Sequence, residues 1–457
     1  MPSSFRTEHD ALGDVQVPAD SYAGSFYARA HANFQNSGLR AYPSFKRAFA
    51  WIKMAAASVN AELGALDAMH ASAIHTAGDE FMAGAFDADY DLDVYQAGAG
   101  TPFNMTLNEI LANRANELLG GKKGDYAPIH PNNHVNMAQS SNDTTPTAIR
   151  IAALLDLKLL FREGTQLLNA FEAKAQEFKD VLKVGRTHLQ DAVPVTLGQE
   201  MQAYASSLRH ALARLDAAQM ELTELGIGGT AIGTGINTHP EFAEKMGEEL
   251  SRLSDLSLSS APNRIETTHS MAAFLAVSSA LRALATELLR ISNDIRLMVS
   301  GPRAGFNEIQ IPEVEPGSSI MPGKVNPSVP EALSMICIQV MGLDHAIALC
   351  AQQGQFELNW HTPLIMWDLL HQIEILSNGM RMFNKDCVQG IQANSSAMKE
   401  TLDHSTALAT VLAPHLGYHE VARLVQKSLK ENKTIREFIP AKWQHLLDAK
   451  AMIGPNL

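Results

Sequence analysis

Leu281, Leu284, Leu288, Ile291, Ile295 and Met298 recur at alternating spacings of three and four, the pattern of a helix with one apolar stripe that needs a partner helix. Similar apolar runs begin near Val329 and Pro363, and two more cover 147–179 and 195–225. Pro146 stands at the start of the 147–179 run, where a first helical turn tolerates proline. About five long helices are therefore predicted, a number that suits an elongated bundle. Helical periodicity also runs through 40–82 and 104–120, interrupted by the turn-rich stretch 87–101. The first part of the chain thus reads as a mixed region of short helices and long loops. From residue 398 the helices shorten and charge rises. The expected layout is a mixed domain over 1–143, a helical bundle over 144–397 and a small helical domain over 398–457, without internal repeats, low-complexity tracts or flexible linkers.

Composition narrows the class. The chain has 457 residues, 46% of them hydrophobic and only 6% aromatic, so it can bury a large core made mainly of Leu, Ala, Ile, Met and Val. Its formal net charge of −13 argues against nonspecific binding to nucleic acid or to an anionic membrane. Cys337, Cys350 and Cys387 form no CxxC pair and are odd in number, which suggests neither a disulfide framework nor a thiolate metal site and fits a reducing cytoplasm. The first residues lack the apolar centre of a signal peptide, and no run of eighteen apolar residues occurs, so secretion and membrane insertion are not expected.

Candidate chemistry concentrates in Gly317-Ser318-Ser319-Ile320-Met321-Pro322-Gly323-Lys324-Val325-Asn326-Pro327. Two glycines and two prolines forbid a regular helix there, and a Gly-Ser-Ser run can offer successive backbone N–H groups to an anion. Composition alone equally allows an ordinary Gly/Pro surface loop. Three further blocks stand at intervals: Gln139-Ser140-Ser141-Asn142-Asp143, Gly185-Arg186-Thr187-His188-Leu189-Gln190-Asp191 and Gly229-Thr230-Ala231-Ile232-Gly233-Thr234-Gly235. Together the four resemble the signature segments of the fumarase/aspartase superfamily in order and spacing.

That resemblance implies a mainly α, three-domain fold with a central five-helix bundle, assembled as a homotetramer whose bundles form a common helical core with composite active sites. It implies a lyase that removes the proton beside a carboxylate of a small dicarboxylate substrate. Such a carbon acid is very weak, so the site must stabilise an enediolate with preorganised donors and a cation. In the family, the serine at the position of Ser318 is the base. Lys324, Asn326 and Thr187 hold the carboxylate that gains charge, with Ser319 and Met321 beside them. Thr101, Ser140, Ser141 and Asn142 meet the second carboxylate and the leaving group. His188, paired with a carboxylate at Glu331, orients the leaving group or a water. Read without the resemblance, Ser140–Asp143 is an ordinary turn or helix cap and His188 a satisfied core histidine.

The leaving group is the harder question. Ala99, within Tyr95-Gln96-Ala97-Gly98-Ala99-Gly100-Thr101, and the segment Gly121-Lys122-Lys123-Gly124-Asp125-Tyr126 resemble aspartases. Ser141, Asn237-Thr238-His239-Pro240 and Glu313-Val314-Glu315-Pro316 lean toward fumarases, as does His130-Pro131-Asn132, although Asn133 replaces the acidic residue that normally follows. Weighting Ala99 most, the expectation is carbon–nitrogen cleavage of L-aspartate or an N-substituted aspartate to fumarate and ammonia or an amine. Fumarate hydration is the alternative. Phe26, Tyr27 and Trp360 depart from the usual family residues, a change that repacking of the core explains first; lining the pocket instead, they would suit a substituted or quaternary amine by cation–π contact, as in ergothionase-type lyases. An inert structural relative is a further alternative, disfavoured by the intact set of site residues. No cofactor is expected, because no strand pattern precedes the glycines of 226–235, and no metal, because Pro131 breaks the helical spacing of His130 and His134.

Overall fold

The computed structural model describes residues 4–447. Residues 448–457, the end of the expected third domain, lie outside the described residues, as do residues 1–3 of the N-terminal stretch. The chain opens on an antiparallel hairpin of β1 (Phe5–Asp10) and β2 (Gly13–Pro18), in which Phe5 faces Pro18 and Asp10 faces Gly13. Four helices follow: α1 (Ser25–Asn33), α2 (Pro43–Glu62), α3 (Ala68–Met82) and α4 (Thr101–Leu118). The first long helix, α5 (Ser141–Glu177), leads into the hairpin β3 (Leu182–Thr187) and β4 (Gln190–Thr196), then α6 (Leu197–Gln219). Beyond β5 (Glu224–Leu225) come α7 (Phe242–Ser254), β6 (Ser259–Ser260), which pairs with β5 in parallel, and α8 (Arg264–His269). The remaining long helices are α9 (Ala272–Met298), α10 (Ser328–Gln352), which follows β7 (Ile309–Gln310), and α11 (Thr362–Asp386). The chain then runs through β8 (Gln392–Ala393), the antiparallel partner of β7, and α12 (Ser395–His404), α13 (Ala413–Leu416) and α14 (Tyr418–Glu431).

All five long helices stand where periodicity places them, and the fold is mainly α, as expected. One boundary differs. α5 begins at Ser141, so Pro146 is its sixth residue and not part of a first turn. Short polar residues held by tertiary hydrogen bonds start this helix, and apolar periodicity does not register them. The strands are also missed, because pairs as short as β5–β6 and β7–β8 carry too few residues for alternation to emerge.

Two compact units make up the described chain: one runs to residue 160 and includes 214–282 and 339–375, and the other comprises 161–213, 283–338 and the described residues from 376 onward. In the first, α2 is the central helix. Phe45 meets Phe49 at 5.1 Å and Phe103 of α4 at 5.4 Å between ring centroids, with Ile52, Ile74, Leu107 and Ile110 fully buried. In the second, Phe171 packs on Tyr204 of α6 and Phe383 of α11. There too the terminal helices bury Leu402, Leu408, Leu412, Leu424 and Ile435 against Val184 of β3. The stripe from Leu281 to Met298 is buried throughout its length.

α9 and α10 also have the length and composition of a membrane-crossing helix. Part of each is packed inside the protein. On α10, however, Met335, Ile338 and Leu349 are exposed, and Ile338 retains 60% of its accessible surface.

Candidate active site

In the first unit, a short-range network brings together four of the expected donors. Gly98 and Ala99 form a turn closed by the Ala99 N–H donating to the Trp360 carbonyl at 2.8 Å. That turn feeds Thr101 into the N-terminus of α4 through Gly100, whose φ of +67° and contact with Thr145 leave no room for a side chain. Thr101 Oγ1 then lies 3.0 Å from Ser141 Oγ at the start of α5. Ser140 and Asn142 are half-buried beside it, and Asn142 Nδ2 donates to the Ala231 carbonyl at 2.7 Å.

Asp143 fixes this segment. It is fully buried, and its carboxylate accepts the N–H groups of Ser140 at 2.9 Å, Thr230 at 2.8 Å and Gly228 at 3.2 Å. Burial nevertheless pushes its carboxyl up to about 7, the three N–H donors and Lys53 opposing. The glycine-rich segment 226–235 is thereby explained as a loop folded onto a buried carboxylate. A two-residue strand, β5, does precede it, but the N–H groups of Gly228 and Thr230 in the loop are taken by Asp143.

In the second unit, Thr187 and Gln190 face each other across a two-residue turn, His188-Leu189, with φ of 56° and 58°. Such a turn favours Asn-Gly. Retaining His and Leu there costs on the order of 1–3 kcal/mol per residue, a strain that points to function when it presents an exposed imidazole. Below the tip, Glu308 receives Lys183 and Arg186, each at 2.7 Å, which anchors the hairpin.

The loop before α10 is closed on itself. Gly317 N–H donates to the Lys324 carbonyl at 2.9 Å, Asn326 Nδ2 to the Gly317 carbonyl at 2.7 Å, and Lys324 Nζ to Asn326 Oδ1 at 2.5 Å. A β-carbon at Gly317 would stand 2.7 Å from both Asn326 N and Lys324 O, so only glycine permits this closure. Inside it, Ser318 Oγ accepts two backbone N–H groups, from Met321 at 2.9 Å and Ile320 at 3.2 Å. An oxygen so placed is a favourable seat for negative charge. Met321 thus acts through its backbone, while Ser319 and Lys324 are exposed.

Glu331, in the first turn of α10, has Arg296 as its neighbour at 3.9 Å. The expected pairing of His188 with Glu331 is not made within one chain, and the His188 ring has no hydrogen-bond partner among the described residues.

Comparison with known proteins decides the family. The family model described as "Lyase" matches residues 13–342. A protein of Nitrosomonas europaea named "Fumarate hydratase class II" is 47% identical over 434 residues, covering 95% of this chain and 94% of its own. One of the same name from Campylobacter jejuni is 43% identical over 99% of both chains. The crystal structure of recombinant class II fumarase from Schistosoma mansoni superposes with a TM-score of 0.96 at 37% identity, covering 99% of this chain and all of that one. The chain belongs to the fumarase/aspartase superfamily.

Within the superfamily, the leaving-group ranking made from sequence is corrected. Relatives at 43–47% identity over nearly the full length carry the name fumarate hydratase, against the expected carbon–nitrogen lyase acting on aspartate. Ala99, on which the ranking rested, is part of the backbone turn that leads to Thr101. Its φ of 59° and its N–H bond to the Trp360 carbonyl put the residue in a left-handed turn. Asn133 is exposed and offers its backbone N–H to His130 Nδ1 at 3.4 Å, so replacing the usual acid leaves that turn intact. Residues 131–135 themselves form one helical turn, where a loop was expected, because His130 caps it.

The aromatic departures separate. The N–H groups of Phe26 and Tyr27 donate to the buried Glu109 carboxylate at 2.7 and 3.2 Å, anchoring the start of α1. Burial pushes the Tyr27 hydroxyl up to about 12. Trp360 stacks on His361 at 3.7 Å and backs the turn that delivers Thr101. Lys53, Asn104 and Asn136, which also surround the donor segment, were missed from sequence. The available signal is Lys53 itself, a cation in the apolar face formed by Phe45, Phe49 and Ile52.

Proposed function

We propose that this protein is a class II-type fumarate hydratase, interconverting malate and fumarate plus water. Ser318 carries the reading of the chemistry: its Oγ accepts two backbone N–H groups in a loop that also holds Lys324 and Asn326. The names of the full-length relatives favour water over an amine as the leaving group. In dehydration, the ionised Ser318 hydroxyl takes the C3 proton of malate. The electron pair enters the adjacent carboxylate, and Lys324, Asn326 and Thr187 stabilise the resulting dianion. The C2–O bond then breaks and the hydroxide leaves as water, receiving its proton with the help of His188 and Glu331. Hydration is the reverse. Thr101, Ser140, Ser141 and Asn142 hold the second carboxylate as neutral donors, and Ser319 and Met321 complete the loop side.

The same reading includes a cytoplasmic homotetramer with composite sites, built of chains with the layout 1–143, 144–397 and 398–457. The exposed apolar face of α10 supports assembly, and three buried free thiols fit a reducing compartment.

Absorbance of fumarate, followed with malate, aspartate and N-substituted aspartates, tests the proposal. Malate is expected to react and the amines not to. Ser318→Ala should lower turnover by about 10²- to 10⁴-fold with an unchanged melting temperature. Turnover of aspartate alone would overturn the choice of leaving group.

A further inference from the structure

Lys53 lies on α2 with none of its surface exposed, and its three ammonium donors meet three amide oxygens: Asn104 Oδ1 at 2.6 Å, Gln139 Oε1 at 2.8 Å and Asn136 Oδ1 at 3.0 Å. No carboxylate lies within ion-pair distance among the described residues. Burial pushes this ammonium down to about 7, with the charge of Asp143, beyond ion-pair distance, opposing. A buried lysine whose hydrogen bonds all go to neutral amides costs more than an apolar side chain of the same volume, so stability gives no reason for a lysine here. Geometry does. An ammonium with one carbon and three acceptors is saturated in all four directions, which fixes the acceptors relative to one another.

Those acceptors lie on the two arms of the donor cluster. Asn104 stands one helical turn after Thr101 on α4, and Gln139 immediately precedes Ser140. Asn136 joins the arms a second time by accepting Asn104 Nδ2 at 3.1 Å, and Asn104 Oδ1 also accepts Thr144 Oγ1 at 3.3 Å. At their other end the arms meet where Thr101 Oγ1 and Ser141 Oγ are 3.0 Å apart. We propose that Lys53 is a positioning residue: its ammonium sets the separation of Thr101 from Ser140–Asn142, and so the grip on the substrate's second carboxylate. The proposal rests on the hydratase reading for its substrate.

Lys53→Met in the full-length protein tests it. Loosening a carboxylate grip that is equal in ground and transition states raises KM and spares kcat. The expected result is a KM for malate higher by about tenfold to a hundredfold with kcat within about threefold. Combined with Ser140→Ala, the KM effect should be far less than the product of the single effects, because both changes act on one cluster. An unchanged KM, a fall confined to kcat, or a multiplicative double variant would each overturn the proposal. Should Lys53→Met not fold, Gln139→Met removes the acceptor nearest Ser140 and is held to the same outcomes. If the wild-type protein converts neither malate nor fumarate, the hydratase reading fails separately. A crystal structure of the variant then decides the positioning role: Thr101 and Ser141 still in contact would refute it, and their separation would support it.

Discussion

Asp368 is buried on α11 with Oδ2 unpartnered among the described residues, and burial pushes its carboxyl from 3.8 up to about 7. The folded protein therefore holds a proton that the unfolded chain releases. This contribution to stability is fully present below about pH 4 and is lost as pH rises through 7, with a slope of at most about 1.4 kcal/mol per pH unit. Asp368→Asn removes the titration. Its melting temperature relative to wild type should climb between pH 4 and 7, and parallel curves would show that the group does not titrate there. Asp143 presents the contrast, since three N–H donors oppose the same desolvation and hold the carboxylate in a defined place. Single residues of both kinds were readable only in part. Ser318, Lys324 and Asn326 stand within one short loop, and the family pattern marks them. Lys53 meets partners 51, 83 and 86 positions away, which no local pattern can reveal.

Among the elements, α9 illustrates what a pattern can determine. Its alternating three-and-four stripe is buried from Leu281 to Met298. Leu288→Ala should therefore cost about 2–5 kcal/mol, measured as a fall in the denaturation midpoint, whereas a loss under 1 kcal/mol would mean that the stripe is not packed as described. Elements begun by polar contacts are harder to read. α5 starts six residues before the expected 147, because Asp143 accepts the Ser140 N–H at its start and is itself held by N–H groups of a loop more than eighty positions away. The His188-Leu189 turn was likewise unreadable, since its backbone needs residues of a different type.

For the whole molecule, the decisive surface is the face of α10 carrying Met335, Ile338 and Leu349. A large exposed apolar face is costly on an isolated chain and is relieved when symmetric copies cover it. For the proposed homotetramer, Ile338→Glu should leave the single chain folded and shift light scattering toward smaller species; an unchanged mass would overturn the role of this face in assembly. The sequence by itself determined the five long helices, the superfamily and the loop that carries Ser318, because periodicity and contiguous motifs are local in the chain. Tertiary structure alone decided which turn Ala99 belongs to, which carboxylate folds the glycine-rich segment and where Lys53 directs its donors. Each of these depends on groups far apart in sequence competing for the same hydrogen bonds, and that competition is resolved only when the chain is packed.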